Sequence, residues 1–151
     1  MKNNILIRSA NEKDVPAILS LIKELADYEK LSDQVIATED ELKKVLFDEN
    51  DFVEVLVAEY GEQIIGQALF FKNFSTFLGK PGIYLEDLYV KPEMRNKGIG
   101  KALLDKIISL AKERNYGRVE WAVLDWNESA IEFYEKIGAK KLEEWKIFRL
   151  T

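Results

Sequence analysis

The middle of the chain reads Tyr84-Leu-Glu-Asp-Leu-Tyr-Val90, then Lys91-Pro-Glu-Met-Arg95-Asn-Lys-Gly98-Ile-Gly100-Lys101-Ala102. This order predicts a strand, a loop and the start of a helix. Gly98 and Gly100 carry no side chain where a backbone must approach a ligand, and the first amides of a helix are free to bind phosphate oxygens. Arg95, Lys97 and Lys101 add positive charge to the same loop. The segment predicts an anion-binding loop, with a plain glycine turn into a helix as the alternative.

Two familiar phosphate-binding motifs do not fit this loop. A Walker A loop needs Gly at position 95 and Ser or Thr at position 102, where the chain has Arg95 and Ala102. A dinucleotide-binding fingerprint needs a third glycine at position 103, where the chain has Leu103. The sequence therefore disfavours binding of a magnesium nucleotide or a dinucleotide.

Hydrophobic periodicity predicts the elements around this loop. Thr38 and Glu41 have the form of a capping box, Gly61 lies in a turn typical of an antiparallel hairpin, and Gly117 and Gly138 are placed to end helices in a left-handed conformation.

We expect strands at 4–8, 52–59, 63–71, 83–90, 119–124 and 145–150, and helices at 15–26, 38–46, 99–111 and 129–137. A strand, helix and strand in the second half imply one parallel pair, so the sheet should be mixed.

Composition limits the possible functions. The 151 residues, 47% of them hydrophobic, suit one globular domain that spans 1–151. The absence of Cys and His argues against thiolate or imidazole catalysis and a usual zinc site, so we expect no metal. A net charge of −5 argues against a nucleic-acid partner, and no apolar run exceeds four residues, so we expect neither a membrane span nor secretion. A cytoplasmic location is the resulting prediction.

The run Arg95-x-x-Gly98-x-Gly100 after a strand resembles the acyl-CoA pyrophosphate loop of the Gcn5-related N-acetyltransferases (GNAT). A second run, Asn127-x-x-Ala130-x-x-Phe133-Tyr134-x-x-x-Gly138-Ala139, looks like the helix that follows the fifth strand in that superfamily. The predicted order of elements also matches the family nearly from end to end. The resemblance implies an α/β fold of the α+β kind, with a mostly antiparallel sheet of six to seven strands, four flanking helices and one splayed parallel pair.

Within the superfamily the chain is similar to the spermidine/spermine N1-acetyltransferases and the thialysine N-acetyltransferases. The matching runs are Leu21-Ile-Lys-Glu-Leu-Ala26, Tyr28-Glu29, Tyr84-Leu-Glu-Asp87, Trp126-Asn127-Glu128 and Glu144-Trp145. The chain differs from these relatives in a shorter turn at 60–63 and in stopping at Thr151, which puts their polyamine preference in doubt. The resemblance also implies a homodimer, and the predicted hydrophobic strand that ends at Leu150 is a candidate to pair across its interface.

The resemblance implies acetyl transfer from acetyl-CoA to a primary amine by direct attack, with acetyl-CoA as co-substrate. Such an amine has a pKa of about 10 in solution and is mostly protonated at neutral pH, so a base must take its proton. Glu86, next to Asp87 in a strand, is the candidate base, and Tyr134 is the candidate acid that protonates the departing thiolate. The alternatives are that Glu86 or Asp87 belongs to a structural ion pair and that Tyr134 is a buried packing residue.

The remaining site residues fall into a donor group and an acceptor group. The acyl-CoA arm is expected along the backbone of the strand and loop, with Asn127 as a further contact or as a helix N-cap. The donor group is Leu88, Tyr89, Val90, Arg95, Asn96, Lys97, Gly98, Ile99, Gly100, Lys101, Asn127 and Tyr134. The acceptor group supplies carboxylates and aromatic faces for ammonium groups: Tyr28, Glu29, Asp33, Asp87, Glu144 and Trp145.

The leading hypothesis is an amine N-acetyltransferase with a polyamine, diamine or thialysine-like acceptor. Two rivals remain: an N-acetyltransferase for a protein N-terminus, an amino acid or an aminoglycoside, and a non-catalytic acetyl-CoA-binding module. A pure binder needs neither Glu86 nor Tyr134, which favours an enzyme.

Overall fold

The computed structural model describes residues 4–49 and 52–151 and contains one five-stranded sheet. The strands are β1 (Ile5–Ser9), β2 (Val53–Tyr60), β3 (Gln63–Ser75), β4 (Lys80–Val90) and β5 (Val119–Trp121), adjacent in chain order. The first four pair antiparallel, and β4 pairs with β5 in parallel. The predicted mixed sheet is confirmed, although the described residues form five strands rather than six or seven.

Four α-helices flank the sheet within the described ranges: α1 (Val15–Tyr28), α2 (Glu39–Lys43), α3 (Ile99–Glu113) and α4 (Glu128–Lys136). A wider π-helical turn, Lys44–Asp48, continues α2. The predicted capping box is present, because the Glu41 amide donates to the Thr38 hydroxyl at 3.2 Å and the Thr38 amide donates to the Glu41 carboxylate at 3.0 Å. Gly61, with φ +64°, forms the predicted β2–β3 turn.

The helices cover the two faces of the sheet. Buried residues of α3, among them Leu103 and Ile107, pack with Phe70 and Leu85 on one face, and Phe133 and Tyr134 of α4 pack against the same cluster. Ile18 of α1 and Leu46 pack with Val57 and Leu69 on the other face. The sheet is therefore the middle of three layers, so that groups from opposite faces meet only where the sheet has a gap.

Such a gap opens between β4 and β5. The parallel pairing joins Ile83 to Val119, Tyr84 to Glu120 and Leu85 to Trp121, and β5 then ends while β4 continues to Val90. From Glu86 onward, the β5-facing edge of β4 has no strand partner in the described chain. The expected splayed pair is present, and β5 is shorter than the predicted strand at 119–124 because residues 122–124 leave the ladder.

A β-bulge interrupts β4 at the start of this gap. Leu85 pairs with Phe70 and Asp87 pairs with Leu69 on β3, so Glu86 is an extra residue without an opposite partner. A bulge bends its strand and redirects the side chains next to it. Glu86 is exposed, whereas Asp87 is partly buried.

Two predictions were wrong, one about a last strand and one about the residue that ends α3. The segment 145–150 forms no strand, and its side chains are exposed because no neighbouring strand in the described chain pairs with it. Asn115, with φ +57°, rather than Gly117 is the left-handed residue after α3, whereas Gly138 does end α4 with φ +97°. A Cβ at Gly117 would lie 2.8 Å from Cδ1 of the exposed Leu78 side chain, which would have to shift. None of the described helices has the length and apolar character needed to cross a bilayer.

Candidate active site

The gap between β4 and β5 brings together acidic and phenolic groups from three elements. Glu29 follows the end of α1, Glu86 and Asp87 belong to β4, and Tyr134 lies on α4. Their charges act on one another: Glu86 and Glu29 both raise the pKa of Asp87, and Glu29 raises that of Tyr134. These interactions connect α1 and α4, which cover opposite faces, so the predicted catalytic residues and part of the predicted acceptor group form one cluster.

Asp87 is the most perturbed carboxyl group of this cluster. Burial, followed by the charges of Glu86 and Glu29, raises its pKa to about 6. No hydrogen bond or ion pair reaches the Asp87 carboxylate from the described residues. Burial and the charge of Glu86 also raise the pKa of the Glu29 carboxyl. The cluster therefore holds negative charge that the protein itself does not neutralise, a suitable environment for a cation.

Tyr134 presents a phenol beside these carboxylates. Its ring packs against those of Trp121 and Phe133, with centroid distances of 5.0 and 5.4 Å. Burial, with a further contribution from the charge of Glu29, raises the pKa of Tyr134. The phenol is therefore held in its protonated form around neutral pH, the state that a general acid needs.

Asn127 caps α4 and links it to α1. Its Oδ1 accepts from the Ala130 amide at 3.4 Å, which confirms the predicted N-cap. The same oxygen accepts from the Tyr28 hydroxyl at 3.3 Å, across the gap. The Asn127 amide nitrogen donates to no group in the described residues and is therefore available to a ligand.

The open edge of β4 presents backbone groups to the gap. The Lys91 amide donates to the Ile65 carbonyl of β3 at 2.9 Å. Because successive amides of a strand point to opposite edges, the Val90 and Leu88 amides face away from β3. Tyr89, although predicted for the donor group, contributes nothing to this edge: by the same alternation its backbone amide faces β3, its side chain is buried, and its hydroxyl donates to Glu24 at 3.1 Å. An extended ligand can therefore hydrogen-bond to this edge as an added strand would.

The loop after β4 ends at the N-terminus of α3. Gly98 is the N-cap with φ +78°, and a Cβ there would meet nothing within 4 Å. The amides of Ile99, Gly100 and Lys101 begin the helix and have no acceptor within it, although the Ile99 side chain itself is buried in the core. This open, amide-rich turn fits a phosphate group.

The three basic residues of the loop are placed differently. Lys97 is exposed, and Lys101 pairs with Asp105 at 2.8 Å on the surface of α3. Arg95 turns inward, where its Nε donates to the Val90 carbonyl at 2.8 Å. Asn96 supports the turn with φ +62°.

Not every predicted acceptor residue lies at the cluster. Asp33 is exposed in a short 3-10 turn, and Glu144 and Trp145 lie in the irregular segment after α4, where Trp145 is 70% exposed. The structure adds two residues that the sequence reasoning did not select. Trp126 packs 6.1 Å from the Tyr28 ring, and Tyr84 has a pKa raised by burial and by the charges of Glu86 and Glu120. The position of Trp126 beside Asn127 in a matching run was the available signal.

Comparison with known proteins identifies the class of this fold and site. The model of the family described as Acetyltransferase (GNAT) family matches residues 18–139, and the chain belongs to this family. An integron cassette protein from the V. cholerae mobile metagenome superposes with a TM-score of 0.82 at 26% identity, with 98% of this chain and 93% of that chain covered.

Relatives that align over most of their length indicate which kind of acetyltransferase this is. A thialysine N-epsilon-acetyltransferase of Sus scrofa is 43% identical, with 97% of this chain and 92% of the relative aligned. An L-ornithine N5-acetyltransferase of Arabidopsis thaliana is 33% identical, with 96% and 83% aligned. The chain is accordingly an amine N-acetyltransferase.

Proposed function

We propose that this protein transfers an acetyl group from acetyl-CoA to a primary amine of a small cationic acceptor. The observation that carries the proposal is the cluster of Glu29, Glu86, Asp87 and Tyr134 beside the open edge of β4. We assign the whole chain, 1–151, to one catalytic domain.

The donor side fits acetyl-CoA. The α3 N-terminus and Gly98 offer a site for its pyrophosphate, with Lys97 as the nearby exposed cation. The Leu88 and Val90 amides offer hydrogen bonds to its extended arm, and the Asn127 amide nitrogen offers another. When bound, acetyl-CoA supplies an activated thioester carbonyl to the gap.

The acceptor side fits a short amine with positive charge. Three carboxylates in one gap, none of them with a hydrogen bond or ion pair from the described residues, attract ammonium groups. By their names, the relatives described above act on thialysine and ornithine, which are amino acids with a side-chain amine. We therefore infer that a diamine-like or amino-acid-like acceptor suits the site better than a protein N-terminus.

The proposed chemistry needs three proton transfers. The protonated acceptor nitrogen loses one proton to Glu86, directly or through water, and the neutral amine attacks the thioester carbon. The new C–N bond forms as the C–S bond breaks, the sulfur takes a proton from the Tyr134 phenol, and the second nitrogen proton leaves the adduct and returns to the phenolate through water. A β4 backbone amide at the gap stabilises negative charge on the carbonyl oxygen.

An amine panel tests this function. Release of CoA would be measured with thialysine, ornithine, lysine, putrescine, spermidine and an aminoglycoside, and products checked by mass. We expect a mono-acetylated product from at least one of the first five amines. Glu86→Gln and Tyr134→Phe should each lower kcat about 100-fold or more while the Kd of acetyl-CoA stays near that of wild type.

Tyr60→Phe is the matched control for the phenol, since Tyr60 is the last residue of β2, a strand that β3 separates from β4. Acetyl-CoA binding without turnover on any amine would support the binding-module rival and overturn the proposal. Unchanged kcat in Tyr134→Phe would remove that residue from the mechanism.

We also propose that the protein is a homodimer formed through the segment after α4. Its apolar side chains are strongly exposed in the single chain, with Ile147 at 81%, Phe148 at 92% and Leu150 at 101%. β5 lies at the edge of the sheet, and an edge strand accepts another strand readily. The same segment of a second copy is therefore the proposed occupant of this edge.

Light scattering after size exclusion tests the dimer. Wild type should elute with twice the mass of one chain, and Phe148→Asp should shift the protein to the monomer. Phe77→Asp is the matched control, because Phe77 is 98% exposed and lies in the β3–β4 turn, outside this segment. A monomeric wild type at micromolar concentration would overturn the proposal. The cytoplasmic location stays a prediction.

A further inference from the structure

Arg95 is held between two tyrosine rings instead of facing solvent. Its guanidinium carbon lies 5.3 Å from the centroid of the Tyr28 ring and 5.2 Å from that of Tyr89. Its Nε donates to the Val90 carbonyl at 2.8 Å. Contacts of this kind use the flat shape and fixed N–H direction of a guanidinium, which a lysine ammonium does not have.

The contacts continue on both sides of Arg95. On one side, the Tyr28 hydroxyl donates to Asn127 at the start of α4. On the other, the Tyr89 hydroxyl donates to Glu24 of α1, and Lys91 donates to the same carboxylate at 2.8 Å. Arg95 is thus the central member of a chain of contacts that joins α1, the end of β4 and α4 across the gap.

This chain of contacts restrains the parts of the chain that carry two groups of the proposed site. Glu29 directly follows Tyr28 at the end of α1, so contacts that hold Tyr28 also restrain the backbone that carries the Glu29 carboxylate. Asn127 accepts a hydrogen bond from the Tyr28 hydroxyl, so the same residue ties α1 to the start of α4. Lys97 in the same loop is exposed and takes part in no comparable contact in the described structure.

We propose that Arg95 is a positioning residue, which fixes Tyr28 and through it Glu29 and Asn127, rather than a ligand of the donor's phosphates. The inference rests on the proposed function, which assigns Glu29 to the acceptor side of the site. It assigns the phosphate contacts of the loop to the α3 amides and to Lys97.

Kinetics of Arg95→Lys and Arg95→Gln separate the two roles. A positioning role predicts that both variants lower kcat/KM for the acceptor about tenfold or more, while the Kd of acetyl-CoA changes less than about threefold. Arg95→Lys should not rescue activity, because the charge is kept and the planar contacts are lost. Lys97→Gln, the matched control for charge, should instead raise the Kd of acetyl-CoA and weaken its dependence on salt.

A phosphate-binding role predicts the reverse pattern. If Arg95→Gln raises the Kd of acetyl-CoA about tenfold or more and Arg95→Lys restores it, Arg95 is a phosphate ligand and the proposal is overturned.

A measurement without turnover keeps this test separate from the proposed function. The losses in Tm of Arg95→Gln, Tyr28→Leu and the double variant would be compared, with Tyr28→Phe as the variant that keeps the ring. We expect the double variant to lose clearly less than the sum of the single losses, since each change breaks the same contact. Additive losses would contradict the proposal, whether or not any amine is acetylated.

Discussion

Asp87→Asn should stabilise the folded protein at neutral pH. The Asp87 carboxyl has a pKa of about 6 in the folded state against 3.8 ordinarily, because it is partly buried beside Glu86 and Glu29. The folded state therefore binds the proton more tightly than the unfolded state, and the stability of the wild type falls as pH rises from about 4 to about 6. A shift of about two units corresponds to about 3 kcal/mol of unfolding free energy, lost in full above pH 6 and recovered at pH 4.

Urea unfolding between pH 4 and pH 8 measures this effect. The unfolding free energy of Asp87→Asn minus that of wild type should be small at pH 4 and rise to as much as about 3 kcal/mol near pH 7.5. Asp33→Asn, which changes an exposed carboxyl in a turn, is the matched control for the substitution itself.

Binding of the acceptor gives an independent check on the same carboxyl. A cationic amine in the gap favours the ionised form of Asp87, so it should raise the Tm of wild type more at pH 7.5 than at pH 5. The reasoning is refuted if the difference between Asp87→Asn and wild type does not change with pH, or if the variant is the less stable protein at pH 7.5.

Three further changes test the fold around the site. Gly98→Ala should cost about 1 kcal/mol and weaken acetyl-CoA binding, because φ at this position is +78° although a Cβ has room there; calorimetry measures both effects. Leu103→Ala should lower the urea-derived unfolding free energy by about 2 to 5 kcal/mol, since Leu103 is fully buried in α3, and a loss below 1 kcal/mol would contradict that packing. Asp14→Asn should destabilise the protein at pH 7 but not in strong acid, because Arg8 lowers the pKa of the Asp14 carboxyl, so its contribution disappears as pH falls through that lowered pKa; thermal melts over pH follow this loss.

Local sequence patterns were sufficient to predict those elements whose structure depends only on nearby residues. The spacing of apolar residues located α1 and α3, because each buries one face against the sheet whichever strands lie beneath it. Thr38 and Glu41 predicted the start of α2, since a capping box involves only four successive residues. Glu86 and Tyr134 were selected through motifs, and the structure places both at the same gap.

The remaining features depend on distant parts of the chain. The apolar alternation at 145–150 is typical of a strand, but a strand also needs a partner, which the single chain does not provide. The inward position of Arg95 depends on Tyr28, which lies 67 residues earlier in the sequence, so its charge alone suggested a phosphate ligand. The bulge at Glu86 requires the register of β3 against β4, which no local pattern contains.

Because of that bulge, the sheet does not depend on residue 86, the residue that is the proposed base. If residue 86 were deleted, Leu85 and Asp87 would be neighbours in an uninterrupted ladder, opposite Phe70 and Leu69 as they are now. The hydrogen bonds of the sheet, the α3 turn and the open edge of β4 do not require a side chain at this position. A single-residue deletion would therefore convert the proposed enzyme into a folded protein that keeps its proposed donor site and has lost its proposed base.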